Sequence, residues 1–401
     1  MIKFSDIAIA QNNMRGVLKT TSLLQSKTFS KLADTKVYLK LENLQTTGSF
    51  KVRGAFNKLS HLTEEEKSRP IVAASAGNHA QGVAFSASKL GLESTIFMPT
   101  FTPPTKVNAT RAYGANVILA GDTFDDAFAA SQEYCETHNA TYIHPFNDPK
   151  IIAGQGVVAL EIYEQLPQVD TIAIPIGGGG LISGMAVAIK EINPNIHIIG
   201  VEAENAASML ASRTKKERVT LTSCNTIAEG IAVKCPGEVT FDLVEEYVDE
   251  LVTVSDEEIS HAAYLLLQRG KIMAEPSGAA AIAAIINKKG KLGKNVVAVV
   301  SGGNINMSLL EQIIDQGMMM EGLRTSIEVT VRDQAGELTK ILSILERMKA
   351  NIQDIVHERS INSVPVGHVM VTITANLQQQ SQIKEIKAEL SQLGLKCRII
   401  H

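Results

Sequence analysis

Short runs of consecutive apolar residues, many of them β-branched, recur along most of the chain: 70–74, 94–98, 116–119, 171–174, 196–201 and 295–300. Longer segments lie between them, such as 78–90 and 122–138, and their apolar positions recur at helical spacing. Continuous apolar strands alternating with helices predict an α/β fold with a mostly parallel sheet covered on both faces. In such sheets ligands sit at the carboxyl ends of the strands.

The pattern changes near residues 315–322. Beyond it, 325–332 reads as a strand, 336–349 as a helix, 352–359 and 366–375 as two strands, 379–393 as a helix and 396–400 as a closing strand. This β-α-β-β-α-β order is the ferredoxin-like unit. The expected division is a first domain over 1–320 and a second over 325–401. The second is small enough to be marginal alone, and it can pair with a copy of itself through a sheet edge.

Composition narrows the function. The 401 residues predict two or three domains at roughly 150 residues each. Hydrophobic residues at 45% and charged residues at 20% are ordinary globular values, which excludes a disordered, coiled-coil or collagen-like chain. A net charge of -4 offers a polyanion no long-range attraction, and aromatics at 4% without tryptophan offer no base-stacking surface, so nucleic acid is excluded as a main partner. Cys135, Cys224, Cys235 and Cys397 include no C-x-x-C pair and read as free thiols of a reducing cytosol. The N-terminus lacks the apolar run of a signal peptide. Residues 171–189 carry no charge, but the glycines at 177–180 and 184 fit strand, loop and helix better than a membrane span. The expected location is the cytoplasm, with no membrane partner.

Four segments carry candidate chemistry. In Thr47-Gly48-Ser49-Phe50-Lys51-Val52-Arg53-Gly54-Ala55, Ser49 is a candidate N-cap that places Lys51 in the first helical turn. The positive end of the helix dipole there lowers a lysine pKa and leaves more nucleophilic amine; an ordinary surface lysine is the alternative. Ala73-Ala74-Ser75-Ala76-Gly77-Asn78-His79 runs from strand through a small-residue turn into a helix, where backbone amides can hold a carboxylate and Asn78 can donate to a ring oxygen. Gly177-Gly178-Gly179-Gly180-Leu181 follows a buried strand, so its amides can cradle a phosphate. Ser301-Gly302-Gly303-Asn304 closes another strand and offers a hydroxyl to a ligand nitrogen. The glycine run fails G-x-G-x-x-G in either register, yet Glu202 stands about where a ribose-binding acid is expected, which keeps a nicotinamide-dependent oxidoreductase as a rival.

Together these four motifs, in this order, resemble the threonine dehydratase (threonine ammonia-lyase) family over about residues 21–308. These are fold-type II pyridoxal-phosphate enzymes, related to serine racemase and the tryptophan synthase β subunit. The resemblance implies two parallel-sheet subdomains, the smaller at about 50–147 set into the larger. It implies a Schiff base between Lys51 and pyridoxal phosphate, a phosphate site at Gly177, Gly178, Gly179, Gly180 and Leu181, Asn78 at the ring hydroxyl and Ser301 at the pyridine nitrogen. Ser75, Ala76, Gly77 and His79 are implied to hold the substrate carboxylate. The implied reaction is β-elimination of L-threonine to 2-oxobutanoate and ammonia, with L-serine as a side substrate, because one missing methyl discriminates by only about 1–3 kcal/mol.

Two departures bear on this. Serine racemases carry a serine at the position of Ala76, so racemisation should be poor here. Racemase-like relatives bind a divalent cation beyond the strand ending at Glu202, but Ser208 stands where an aspartate is expected, and no metal is expected from one carboxylate. The C-terminal unit resembles an ACT domain over about 326–400, carried by Val331-Arg332-Asp333-Gln334-Ala335-Gly336-Glu337-Leu338. That implies an amino-acid effector, such as isoleucine or valine, at Asp333, Gln334, Ala335, Gly336 and Leu338, and a homodimer or homotetramer. A hydroxyaspartate dehydratase, a serine racemase-like enzyme and a non-catalytic amino-acid sensor remain alternatives in this fold.

Overall fold

A computed structural model describes residues 2–359 and 364–400. The chain forms two compact units, Met1–Asn306 and Met307–His401.

The first unit holds two sheets. The larger has six strands in the order Leu23–Ser26, Lys36–Leu41, Asn295–Val300, Thr171–Pro175, His197–Ala203 and Glu250–Val254. All its pairings are parallel except that of the first two strands. The smaller sheet runs Asn116–Leu119, Ser94–Met98, Ile71–Ala74 and Thr141–Tyr142, parallel throughout. Its strands fall, in sequence, between Lys36–Leu41 and Thr171–Pro175 of the larger sheet. Helices cover the faces of both sheets, and the strands Ile71–Ala74 and Thr171–Pro175 are buried along their whole length, as continuous apolar runs require. Each sheet has its own apolar core. The uncharged stretch 171–189 resolves into the strand Thr171–Pro175 and the helix Gly180–Ile192. No described helix is long and apolar enough to cross a membrane.

The second unit opens with a helix, Met307–Met320, so the change of pattern near 315–322 coincides with the end of that helix; Gly322 follows it at φ +67°. An antiparallel sheet follows, ordered Asn351–Glu358, His368–Asn376, Arg324–Arg332 and Cys397–Ile400. Its two central strands alternate buried and partly buried residues, the signature of a sheet with one covered face. The helices Glu337–Arg347 and Ser381–Gln392 supply that cover through Ile341, Ile344, Leu345, Ile386 and Leu390. With the closing strand, this is the ferredoxin-like order read from the sequence.

Candidate active site

Lys51 is the first residue of the helix Lys51–Ser60. Ser49 does not cap it. Phe50 precedes the helix in αR geometry without a side-chain cap, while Ser49 bridges to Gly302 with its hydroxyl buried and unpartnered. Burial pushes the Lys51 amine down to about 8, with the charge of Glu275 pulling the other way. Desolvation, more than the helix dipole, therefore explains the shift. The amine donates to the Pro145 carbonyl at 3.0 Å. Two residues along, Arg53 anchors the same helix in a buried ion cluster. Its guanidinium reaches Glu42 at 2.7 Å and Glu161 at 2.7 Å, and Lys40 meets Glu161 at 2.6 Å. The four charges cancel, so removing one strands another in a dry interior.

Lys51 faces a cavity of about 570 Å³. All the cofactor and substrate candidates line it: the turn Ser75, Ala76, Gly77, Asn78 and His79, the glycine loop 177–180 with Leu181, and Ser301. Each group follows the carboxyl end of a strand, where an α/β sheet places its ligands. Gly179 sits at φ +93° directly before the helix Gly180–Ile192, whose first amides have no partner within the helix and are free to bind an anion. At Gly178 a side chain has no room: a Cβ would lie 2.4 Å from Cγ of Phe146. His79 Nε2 donates to the Ile143 carbonyl, 2.9 Å away, and burial, then the nearby Lys51 charge, hold the ring down to about 3, so it is a neutral, structural ring. The Ser301 hydroxyl donates to Ser277 O at 3.4 Å.

Sequence reasoning missed Glu275 and gave Asn304 no role. Both line the cavity. Asn78 donates to Glu275 at 2.6 Å and accepts from Asn304 at 2.7 Å, so its amide is oriented from both sides. Burial pushes the Glu275 carboxyl up to about 7, against the Asn78 hydrogen bond. Its only sequence signal is a position just before Pro276, which opens a helix. Glu202 is not available to a ribose. Its two carboxylate oxygens accept from the Met209 and Leu210 amides, each at 2.8 Å, at the start of the helix Ser208–Lys215. Among the described residues no group of acidic, histidine and cysteine side chains is arranged to hold a metal.

In the second unit, Asp333, Gln334, Ala335 and Gly336 lie between the strand Arg324–Arg332 and the helix Glu337–Arg347, and Leu338 lies in that helix. Asp333 pairs with Arg359 at 2.8 Å in the open, and this holds its carboxyl below the usual range. Gly336 caps the helix Glu337–Arg347 at φ +92°, with open space where a Cβ would stand. Leu338 packs on the core of that unit.

Residues 15–302 match the family described as pyridoxal-phosphate dependent enzyme, and residues 325–394 match the ACT domain. An L-threonine ammonia-lyase of Thermotoga maritima is 45% identical over 100% of both chains. A solved structure of the processed form of threonine deaminase isoform 2 from Solanum lycopersicum is 38% identical, with a TM-score of 0.74 over 79% of this chain and 89% of that one. Maize serine racemase is 34% identical, with a TM-score of 0.75 over 80% of this chain and 98% of that one. The chain belongs to the pyridoxal-phosphate dependent enzyme family and carries an ACT domain at its C-terminal end.

Proposed function

We propose that the chain is an L-threonine ammonia-lyase that converts L-threonine to 2-oxobutanoate and ammonia and turns over L-serine as a side substrate. The observation that carries this reading is one cavity that sets a lysine amine shifted to about 8 opposite a glycine-rich helix start. These residues fit pyridoxal phosphate: Lys51 has an amine for its aldehyde, and Gly177, Gly178, Gly179, Gly180 and Leu181 have the backbone for its phosphate. Asn78 and Ser301 line the same cavity and would meet the ring hydroxyl and the ring nitrogen. Bound there, the cofactor supplies an electron sink for the carbon that loses its proton.

The chain's own residues do the rest. A lysine amine near 8 both accepts and returns a proton close to neutral pH, which suits Lys51 to act on the substrate α-proton. The turn from Ser75 to His79 holds the substrate carboxylate through its backbone. Ala76 brings no hydroxyl to that turn, which favours elimination over the racemisation named for the maize relative. The turn at Asp333, Gln334, Ala335, Gly336 and Leu338 binds an amino-acid effector such as isoleucine or valine. The working form is a cytoplasmic homodimer or homotetramer.

The test is release of 2-oxobutanoate from L-threonine, titrated with L-isoleucine. Release suppressed by isoleucine supports both lyase and effector site. Release indifferent to isoleucine keeps the lyase and removes that effector. A full chain that binds no pyridoxal phosphate overturns the reading.

A further inference from the structure

The turn 144–147 touches both ends of the candidate cofactor cleft. Its Pro145 carbonyl receives the Lys51 amine at 3.0 Å. Its Phe146 ring packs against the glycine loop so closely that a Cβ on Gly178 would lie 2.4 Å from it, and a Cβ on Gly180 would lie 2.9 Å from that of Phe146. His144 organises this turn. Its Nδ1 accepts the amide protons of Phe146 at 3.2 Å and Asn147 at 2.8 Å, and its ring stands edge-to-face on Phe146 with centroids 4.7 Å apart. The far side of the turn is tied as well, because Asn147 Oδ1 accepts from the Val239 amide at 3.0 Å.

Two backbone donors on one nitrogen fix the tautomer: Nδ1 carries the lone pair and Nε2 the proton. Burial, then the nearby Lys51 charge, push His144 down to about 4, with Asp148 opposing, so the lone pair persists near neutral pH. An asparagine side chain can accept from the same two amides, as in an Asx turn, whereas phenylalanine keeps the ring contact and removes the acceptor.

We infer that His144 is a positioning residue: by accepting both amide protons of the turn, it holds the Pro145 carbonyl against the Lys51 amine of the cofactor-free chain and the Phe146 ring as the backing of the phosphate loop. The inference rests on the lyase reading above. Without the acceptor, two part-buried amides lose their partner, and the turn relaxes at both ends of the cleft together.

The test compares the full wild-type chain with His144→Phe and His144→Asn. Two quantities are measured: affinity of the cofactor-stripped chain for pyridoxal phosphate, and kcat and KM for L-threonine. His144→Phe should weaken cofactor affinity about tenfold and lower kcat more than it raises KM, the scale of a lost hydrogen-bond acceptor. His144→Asn should restore most of both. Wild-type behaviour of His144→Phe overturns the inference, as does equal impairment of the two variants, which would make ring packing the cause. Should His144→Phe not fold, His144→Gln replaces it, since its longer side chain misplaces the acceptor; equal behaviour of the Asn and Gln variants then overturns the inference. If the wild-type chain binds no cofactor, the lyase reading itself has failed, a result distinct from all of these.

Discussion

Two glycine turns of this protein precede helices in the same left-handed backbone conformation, yet they are surrounded differently. In the loop 177–180, the chain fills its own surroundings: Phe146 closes on Gly178, and Met209 and Thr240 close on Gly179. At Gly336 nothing lies within 4 Å of a Cβ position, and the neighbouring Asp333–Arg359 pair is exposed. The first turn is preorganised by packing, as would suit a cofactor held for many turnovers. The second is open, as suits a ligand that comes and goes. Preorganisation gains affinity by removing the entropy of ordering the site, and an open turn retains that cost.

The sharpest break in the comparison comes from the packed region. Lys51→Ala should abolish lyase activity, by about a thousandfold or more, and eliminate the visible absorption of bound pyridoxal phosphate. The effector turn, in the other unit, should still bind its amino acid, which calorimetry on the variant would reveal. Arg53→Met should come next in effect. It leaves Glu42 and Glu161 with Lys40 as their only remaining cation in the cluster, at a cost of about 3–5 kcal/mol. Denaturant unfolding would register it as a lowered midpoint.

Gly178→Ala tests the packing itself. A methyl against the Phe146 ring is overpacking, worth about 1–3 kcal/mol, and it displaces the amides beside it. Cofactor affinity should fall with stability. Phe146→Ala should cost less in this background than in the wild type, because it removes the Cγ and Cδ atoms that the methyl meets.

Acid exposes the packed region in another way. His79 is held down to about 3 and His144 to about 4, both below the ordinary imidazole value of about 6.5. Between those values and 6.5, the unfolded chain binds protons that the folded chain refuses, so stability rises with pH there. The histidine contribution is therefore full above about 6.5 and declines as pH falls below it, continuing toward pH 3–4, while Glu202 and Glu275, raised to about 7, contribute the opposite slope between 4.5 and 7. The test is a difference: between pH 7 and 5, thermal unfolding of His79→Gln should lose less stability, relative to its own value at pH 7, than the wild type does.

How much of this was legible in the sequence depended on how local the cause is. Strand positions 94–98, 116–119 and 295–300 match the observed strands residue for residue; the first and last are buried parallel strands, which write themselves as apolar runs, and 116–119 is an edge strand with a shorter run. The ferredoxin-like order likewise follows from alternation and helical spacing. The position of Lys51 at a helix start was readable, but the cause of its shifted amine was not. That cause is burial by Pro145 and the opposite loops, far away in sequence. Ser49 looked like a cap because its residue type and spacing are right; its bridge to Gly302 takes the backbone elsewhere. Glu275 was invisible for the same reason: its significance lies in Asn78, 197 positions away.

Gly336→Ala is the gentlest probe and the one that isolates the open turn. At φ +92° a side chain is strained wherever it points, by about 1–2 kcal/mol, although no atom stands in its way. In the packed loop a methyl at Gly178 meets protein; in the open turn it meets only the space an effector would use. The variant should therefore keep kcat for L-threonine within about twofold, lose at most the strain energy in stability, and lose its response to the amino acid that regulates the wild type. Activity titrated with isoleucine, and with valine beside it, measures this directly. An intact response would mean that the effector binds elsewhere on the domain, and the contrast between a packed cofactor loop and an open effector turn would then hold for geometry alone.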